Sequence, residues 1–191
     1  MIFPNTFPIF SDCTIETERL ILRPWNEHDA AALYQYAKDP RVGPAAGWPV
    51  HTSIENSREI IRNVLSAPQT YAVVLKETNE PIGSVGLKQG EYTELTNRSD
   101  EAELGYWLGV PYWGRGLIPE AANALILYAF ETLQLQVLWC GYFSHNKNSL
   151  RVQEKCGFRY HHTETNKFFP LIDATYDECV TQLTRKHWAE R

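Results

Sequence analysis

The chain has 191 residues, 43% of them hydrophobic, which suits one domain with a full core. Its formal net charge of −5 gives no reason to expect the basic face that nucleic-acid binders need, so no nucleic acid is expected as a partner. No apolar run approaches the ~20 residues that span a bilayer, so no membrane is expected either.

In chain order, residues 1–11 come first. This stretch is apolar but holds Pro4 and Pro8 and no basic residue, so it makes a poor signal peptide and reads as a tail. A single domain over 12–191, in the cytoplasm, is expected to follow. Arg19 to Arg23 alternates with Leu20 and Leu22, predicting a strand that stops at Pro24. Asn26 is placed to cap a helix from Glu27 to Lys38, which Pro40 ends. A Gly- and Pro-rich stretch carrying Trp48 precedes a second helix, starting at Thr52 or Ser53 and reaching Ser66. Tyr71 to Leu75 and Ile82 to Leu87 predict a hairpin across a turn from Glu77 to Glu80.

Gln89 to Asp100 is polar, a loop or ragged strand end. The apolar strand Leu104 to Val110 then runs into a turn carrying Gly114 and Gly116, which opens a helix reaching Leu133. Val137 to Phe143 does not alternate, predicting a strand buried on both faces. Asn146 to Cys156 reads as a short helix closed by Gly157. Phe158 to Phe168 and Tyr176 to Trp188 complete an α+β domain as two late strands. Cys13, Cys140, Cys156 and Cys179 are scattered without a C-x-x-C pair, the pattern of reduced thiols. His161 and His162 are expected on opposite sides of a strand, where they cannot share a metal; no metal is expected.

The glycine turn carries the chemistry. Glycines let backbone approach a ligand, and the free N–H groups of a helix start attract anions, so strand, turn and helix make a candidate diphosphate cradle. A P-loop would need Lys and Ser or Thr after the glycines, where this chain has Leu117 and Ile118. A dinucleotide fold would need a third glycine near Pro119 and an acid near Gln134 to Gln136. Neither fits.

A second segment, Asn146-Lys147-Asn148-Ser149-Leu150-Arg151-Val152-Gln153-Glu154-Lys155-Cys156-Gly157-Phe158, narrows the choice. With Thr17-Glu18-Arg19-Leu20-Ile21-Leu22-Arg23-Pro24, Glu103 to Leu108 and Trp113 to Ala121, it resembles the GNAT superfamily of N-acetyltransferases. Within that superfamily the motifs are similar to the branch holding the Rim-type ribosomal-protein alanine N-acetyltransferases. The resemblance spans about residues 15 to 188. It implies a mixed, mostly antiparallel sheet of about seven strands flanked by four helices. Strands four and five of that sheet would splay into a V-shaped slot for acetyl-CoA.

The resemblance also implies site residues. Pantetheine would pair with Leu108, Gly109 and Val110 as an added strand. The diphosphate would rest on amides of Gly114, Arg115, Gly116 and Leu117, with Trp113 packing the turn against the helix. Asn146 would contact the pantetheine arm. Glu103 is the candidate base, with Glu101 its competitor on the same strand face. At about pH 7.5 an α-amine of pKa about 7.7–8.0 is partly neutral, whereas deprotonating a lysine costs roughly 4 kcal/mol, so an N-terminal amine asks less of Glu103. Many superfamily members place a tyrosine acid where this chain has Gln153. Ser149 is the substitute, either serving the departing sulfur or merely capping its helix. Trp48 lies in a loop the family sets over the acceptor, either a substrate wall or core.

The reading is thus direct transfer of acetyl from acetyl-CoA to a primary amine, most naturally a protein or peptide N-terminus. A small amine acceptor (an antibiotic or polyamine) and a non-catalytic acyl-CoA sensor are the rivals. Monomer and homodimer both remain open.

Overall fold

The central hairpin is buried on both faces, which divides the core in two. The computed structural model describes residues 9–11 and 14–191. Among them nine strands form one sheet: β1 (Ile9–Ser11), β2 (Thr14–Glu16), β3 (Leu20–Arg23), β4 (Thr70–Leu75), β5 (Glu80–Lys88), β6 (Glu101–Leu108), β7 (Val137–Phe143), β8 (Arg159–Phe169) and β9 (Ala174–Thr184). Their order is β1-β2-β3-β4-β5-β6-β7-β9-β8, and every pair is antiparallel except β6 with β7. On β4, Tyr71, Val73 and Leu75 face one core and Ala72 and Val74 the other. The larger core holds α3 (Leu117–Leu127), and α4 (Lys147–Lys155) lies against the same side. The smaller one holds α1 (Ala30–Ala37) and α2 (Ile54–Ile60), with Trp25, Leu33 and Ile61.

Local chemistry starts these helices where the sequence predicts. Asn26 and Asp29 form a capping box: the Asn26 side chain accepts from the His28 N–H, and Asp29 accepts from the Asn26 N–H. Ser53 caps α2 by accepting from the Asn56 N–H. Gly157 closes α4 with φ of +84°.

Several expectations need correction. The family's first strand is β3, because a hairpin of β1 and β2 precedes it; the sheet therefore has nine described strands rather than seven. The expected tail, residues 1–11, and Cys13 lie outside the described residues, apart from strand β1. The last strand ends at Thr184, whose hydroxyl accepts from the His187 N–H and starts a fifth described helix, α5 (Arg185–Ala189). β6 begins at Glu101 and stops at Leu108, and Val110–Tyr112 form a tight turn. Burial on β7 alternates: Leu138 and Cys140 are buried, while Trp139 and Gly141 on the opposite face are only partly covered.

That half-open face belongs to a fork. β6 and β7 pair only from Glu101 to Glu103 against Val137 to Trp139. Beyond it β6 stays with β5 as far as Leu108, while β7 follows β9 to Phe143. The two neighbouring strands therefore diverge, leaving an open backbone edge on β6.

Candidate active site

The glycine turn leaves five amides without an acceptor. Among the described residues, no hydrogen-bond partner meets the N–H groups of Gly114, Arg115, Gly116, Leu117 or Ile118, the residues that lead into α3. Gly114 and Gly116 sit at φ of +75° and +74°, and a Cβ on Gly114 would meet no atom within 4 Å. This backbone curls its donors around open space, so the residues present fit a diphosphate. Pro119 lies in the first turn of α3, where its missing N–H breaks no helical bond.

Behind the turn stands a brace that the sequence leaves without a stated purpose. Arg19 donates from Nε to Glu120 Oε2 (2.6 Å) and from Nη1 to the Arg115 carbonyl (3.0 Å). Glu120 Oε1 also accepts from the Thr17 hydroxyl and the Arg19 N–H. The Thr17 to Arg19 motif thus ties β3 to the loop carrying the free amides. Arg115 lays its guanidinium over the Tyr112 ring, 5.6 Å from the centroid.

The strand edge is shorter than expected. Gly109 donates its N–H to the Ile82 carbonyl (2.8 Å), and its carbonyl accepts from the Tyr112 N–H. A Cβ there would come within 2.6 Å of the Tyr36 ring, so this glycine serves packing against α1. The Val110 carbonyl is taken by the Trp113 N–H, and the Leu108 carbonyl accepts from Trp113 Nε1 (2.8 Å). Trp113 therefore ties the turn back to β6 instead of packing it on the helix. Since Gly109 bonds toward β5, alternation turns the backbone groups of Tyr106 and Leu108 toward the fork.

Opposite faces of the fork carry different chemistry. On one face Glu103 Oε1 accepts from Lys88 Nζ (2.8 Å) and Oε2 from the Thr93 hydroxyl (2.7 Å). Glu101 shares that face but is buried. Its Oε2 accepts from Trp139 Nε1 and the Thr96 hydroxyl, and Oε1 pairs with Arg98 (3.1 Å). Of the two carboxylates, Glu103 is the one nearer the point where pairing ends.

On the other face Ser149 is held from three sides. Its amide caps onto Asn146 Oδ1 (3.1 Å), its Oγ lies 2.8 Å from the Tyr106 hydroxyl, and Gln153 Nε2 donates to the same Oγ (3.2 Å). Asn146 is therefore the cap of α4, and its Nδ2 donates to the Ala45 carbonyl (3.2 Å). Burial pushes the Tyr106 phenol well above its ordinary value, so it stays protonated. Tyr106 lies inside a quoted motif, but only the fork reveals that its ring reaches α4.

Trp48 sits on the Glu103 side, 5.8 Å from the Trp107 ring and 5.3 Å from His51. Between its loop and the β8–β9 turn opens a cleft of about 390 Å³, lined by Pro44, Pro49, Val50, Leu171 and Tyr176 among others. His161 and His162 do not diverge: a register shift on β8 brings their Nδ1 atoms to 2.7 Å. Among the described residues no cluster of three metal-ligating groups exists, and no helix is long and apolar enough to cross a membrane.

A glycine turn with free amides beside a forked parallel pair defines the class: an acyltransferase of the acyl-CoA type. A model of the acetyltransferase (GNAT) domain matches residues 19–159, and the chain belongs to that family, whose members use acetyl-CoA. An uncharacterised N-acetyltransferase of Bacillus licheniformis, p20, is 32% identical over 151 residues, covering 76% of this chain and 82% of its own. The ribosomal protein uS5-alanine N-acetyltransferase of Escherichia coli is 34% identical over 86 residues, 44% of this chain and 43% of its own. In structure, a GNAT-family acetyltransferase from Bacillus anthracis superposes with a TM-score of 0.78 at 24% identity, covering 91% of this chain and 99% of its own.

Proposed function

We propose that this N-acetyltransferase acetylates the N-terminal α-amine of a protein or peptide, by direct transfer from acetyl-CoA. The carrying observation is the fork itself: Glu103 stands on one face and Ser149 on the other, with an open strand edge between them. When bound, acetyl-CoA supplies an acetyl group already activated as a thioester. Glu103 takes the proton shed by the attacking nitrogen, directly or through water. The edge backbone of β6 orients the carbonyl, and Ser149 hydrogen-bonds the sulfur as it departs. Losing a thiolate of pKa about 8.5 costs only about 1.4 kcal/mol at about pH 7.5, so a hydroxyl suffices where relatives use a tyrosine.

An α-amine is favoured over lysine because it is already partly neutral at about pH 7.5 and asks its base for a single proton during attack. The apolar cleft beside Trp48 offers room for residues following the amine, and the E. coli relative acts on a ribosomal protein. Mass-spectrometric screening of N-terminal peptides and small amines with acetyl-CoA tests this. Peptide α-amines acetylated in preference to lysine, polyamines and aminoglycosides support it. Turnover of a small amine alone, or slow thioester hydrolysis alone, contradicts it.

A further inference from the structure

Ser149 Oγ spans the fork. Through the Tyr106 hydroxyl it is tied to β6, and through Gln153, whose Nε2 also donates to the Gly141 carbonyl (3.2 Å), it is tied to β7. Gln153 is fully buried, and its orientation is set: Oε1 accepts from the Thr181 hydroxyl (2.7 Å) while Nε2 has Gly141 and Ser149 as acceptors. A serine hydroxyl has two acceptor sites and one hydrogen. Gln153 fills one acceptor site. The Tyr106 hydroxyl has two acceptors on Ser149, the carbonyl at 3.2 Å and Oγ at 2.8 Å; a phenol is a better donor than an alcohol, so across the shorter contact its hydrogen fills the second site. The Ser149 hydrogen then has no partner on either residue and turns toward the space between the strands.

We propose that Tyr106 and Gln153 are positioning residues that aim the Ser149 hydroxyl hydrogen into the fork, where it meets the sulfur of the departing CoA. The inference rests on the reading of Ser149 given above. As nitrogen bonds to the acetyl carbon and the C–S bond breaks, the electron pair goes to sulfur. The nitrogen's proton goes to Glu103, and Ser149 keeps its own hydrogen while donating a hydrogen bond. The titratable groups around the Tyr106 hydroxyl are Cys140 on β7 and Cys156 after α4. Burial pushes both thiols up, Cys156 to about 12, so neither brings a charge near neutral pH.

The test reads the thiol directly. CoA is bound to wild-type protein and to Tyr106→Phe, Gln153→Met and Ser149→Ala, and the ultraviolet absorbance of the bound thiolate is titrated with pH. Wild type is expected to hold the thiol pKa below its value in free CoA. Tyr106→Phe and Gln153→Met are each expected to raise it most of the way to the Ser149→Ala value, with CoA affinity at low pH unchanged. A shift in Ser149→Ala with none in the other two overturns the inference and leaves the Ser149 reading standing. No shift in Ser149→Ala overturns that reading and the inference with it. Should Gln153→Met fail to fold, the closely matched Tyr106→Phe decides alone.

Discussion

Glu103 divides its carboxylate oxygens between an ammonium and a hydroxyl, an arrangement that orients the group without burying it as deeply as Glu101. A base positioned this way contributes about 100-fold or more to rate. Glu103→Gln should therefore lower kcat by about that factor and leave the acetyl-CoA Kd unchanged, as read by steady-state kinetics beside calorimetry. Full activity in this variant would move the base role to Glu101 or to bulk water. Arg19 acts on the opposite end of the site. Removing its contacts to Glu120 and the Arg115 carbonyl in Arg19→Met should weaken acetyl-CoA binding several-fold, with kcat at saturation little changed. A Kd equal to wild type would reduce this brace to a surface ion pair.

At the scale of elements, the turn into α3 depends on two left-handed residues. Gly114→Ala and Gly90→Ala both place a side chain at positive φ, costing about 1–2 kcal/mol of stability each. Only Gly114→Ala should also weaken acetyl-CoA binding, because its side chain enters the open space beside the free amides, and Gly116→Trp should abolish binding by crowding the turn and the Arg19 guanidinium that a Cβ there meets at 3.8 Å. Equal binding by all three would remove the cradle assignment.

The segment between α1 and α2 makes a different prediction. His51 is buried with Nδ1 2.8 Å from the Ser57 hydroxyl, and desolvation lowers its pKa. The unfolded chain, with the ordinary value near 6.5, then binds a proton that the native state refuses. Stability should fall as pH drops below about 6.5 and level off below the native pKa. His51→Gln should flatten this part of a melting-temperature profile; an unchanged slope would assign it to other groups.

These elements were unequally legible. Glycines, prolines and caps act locally, so Asn26, Ser53, Gly116 and Gly157 marked helix ends correctly from sequence. The shared face of Glu101 and Glu103 on β6 was legible from their spacing of two, but their partners Trp139, Thr96, Lys88 and Thr93 were not, because the neighbouring strands and the loop before β6 bring them there. Gly109 looked like a ligand-facing glycine until the Tyr36 ring was seen against it. Tyr106, Gln153 and Thr181 lie far apart in the chain, and nothing local foretells their network.

For the whole molecule, the parting of β6 from β7 organises everything else. Helices α3 and α4 back one face with the Ser149 network; on the other, Trp107 and Trp48 pack against the smaller core, and Glu103 lies on the same face of β6 nearer the fork. The most direct measurement is a crystal structure of the protein with acetyl-CoA. The account predicts pantetheine along the open edge of β6, the diphosphate on the amides of residues 114–118, and the sulfur beside Ser149 Oγ. Acetyl-CoA bound outside the fork, or a fork closed by continued β6–β7 pairing, would contradict it.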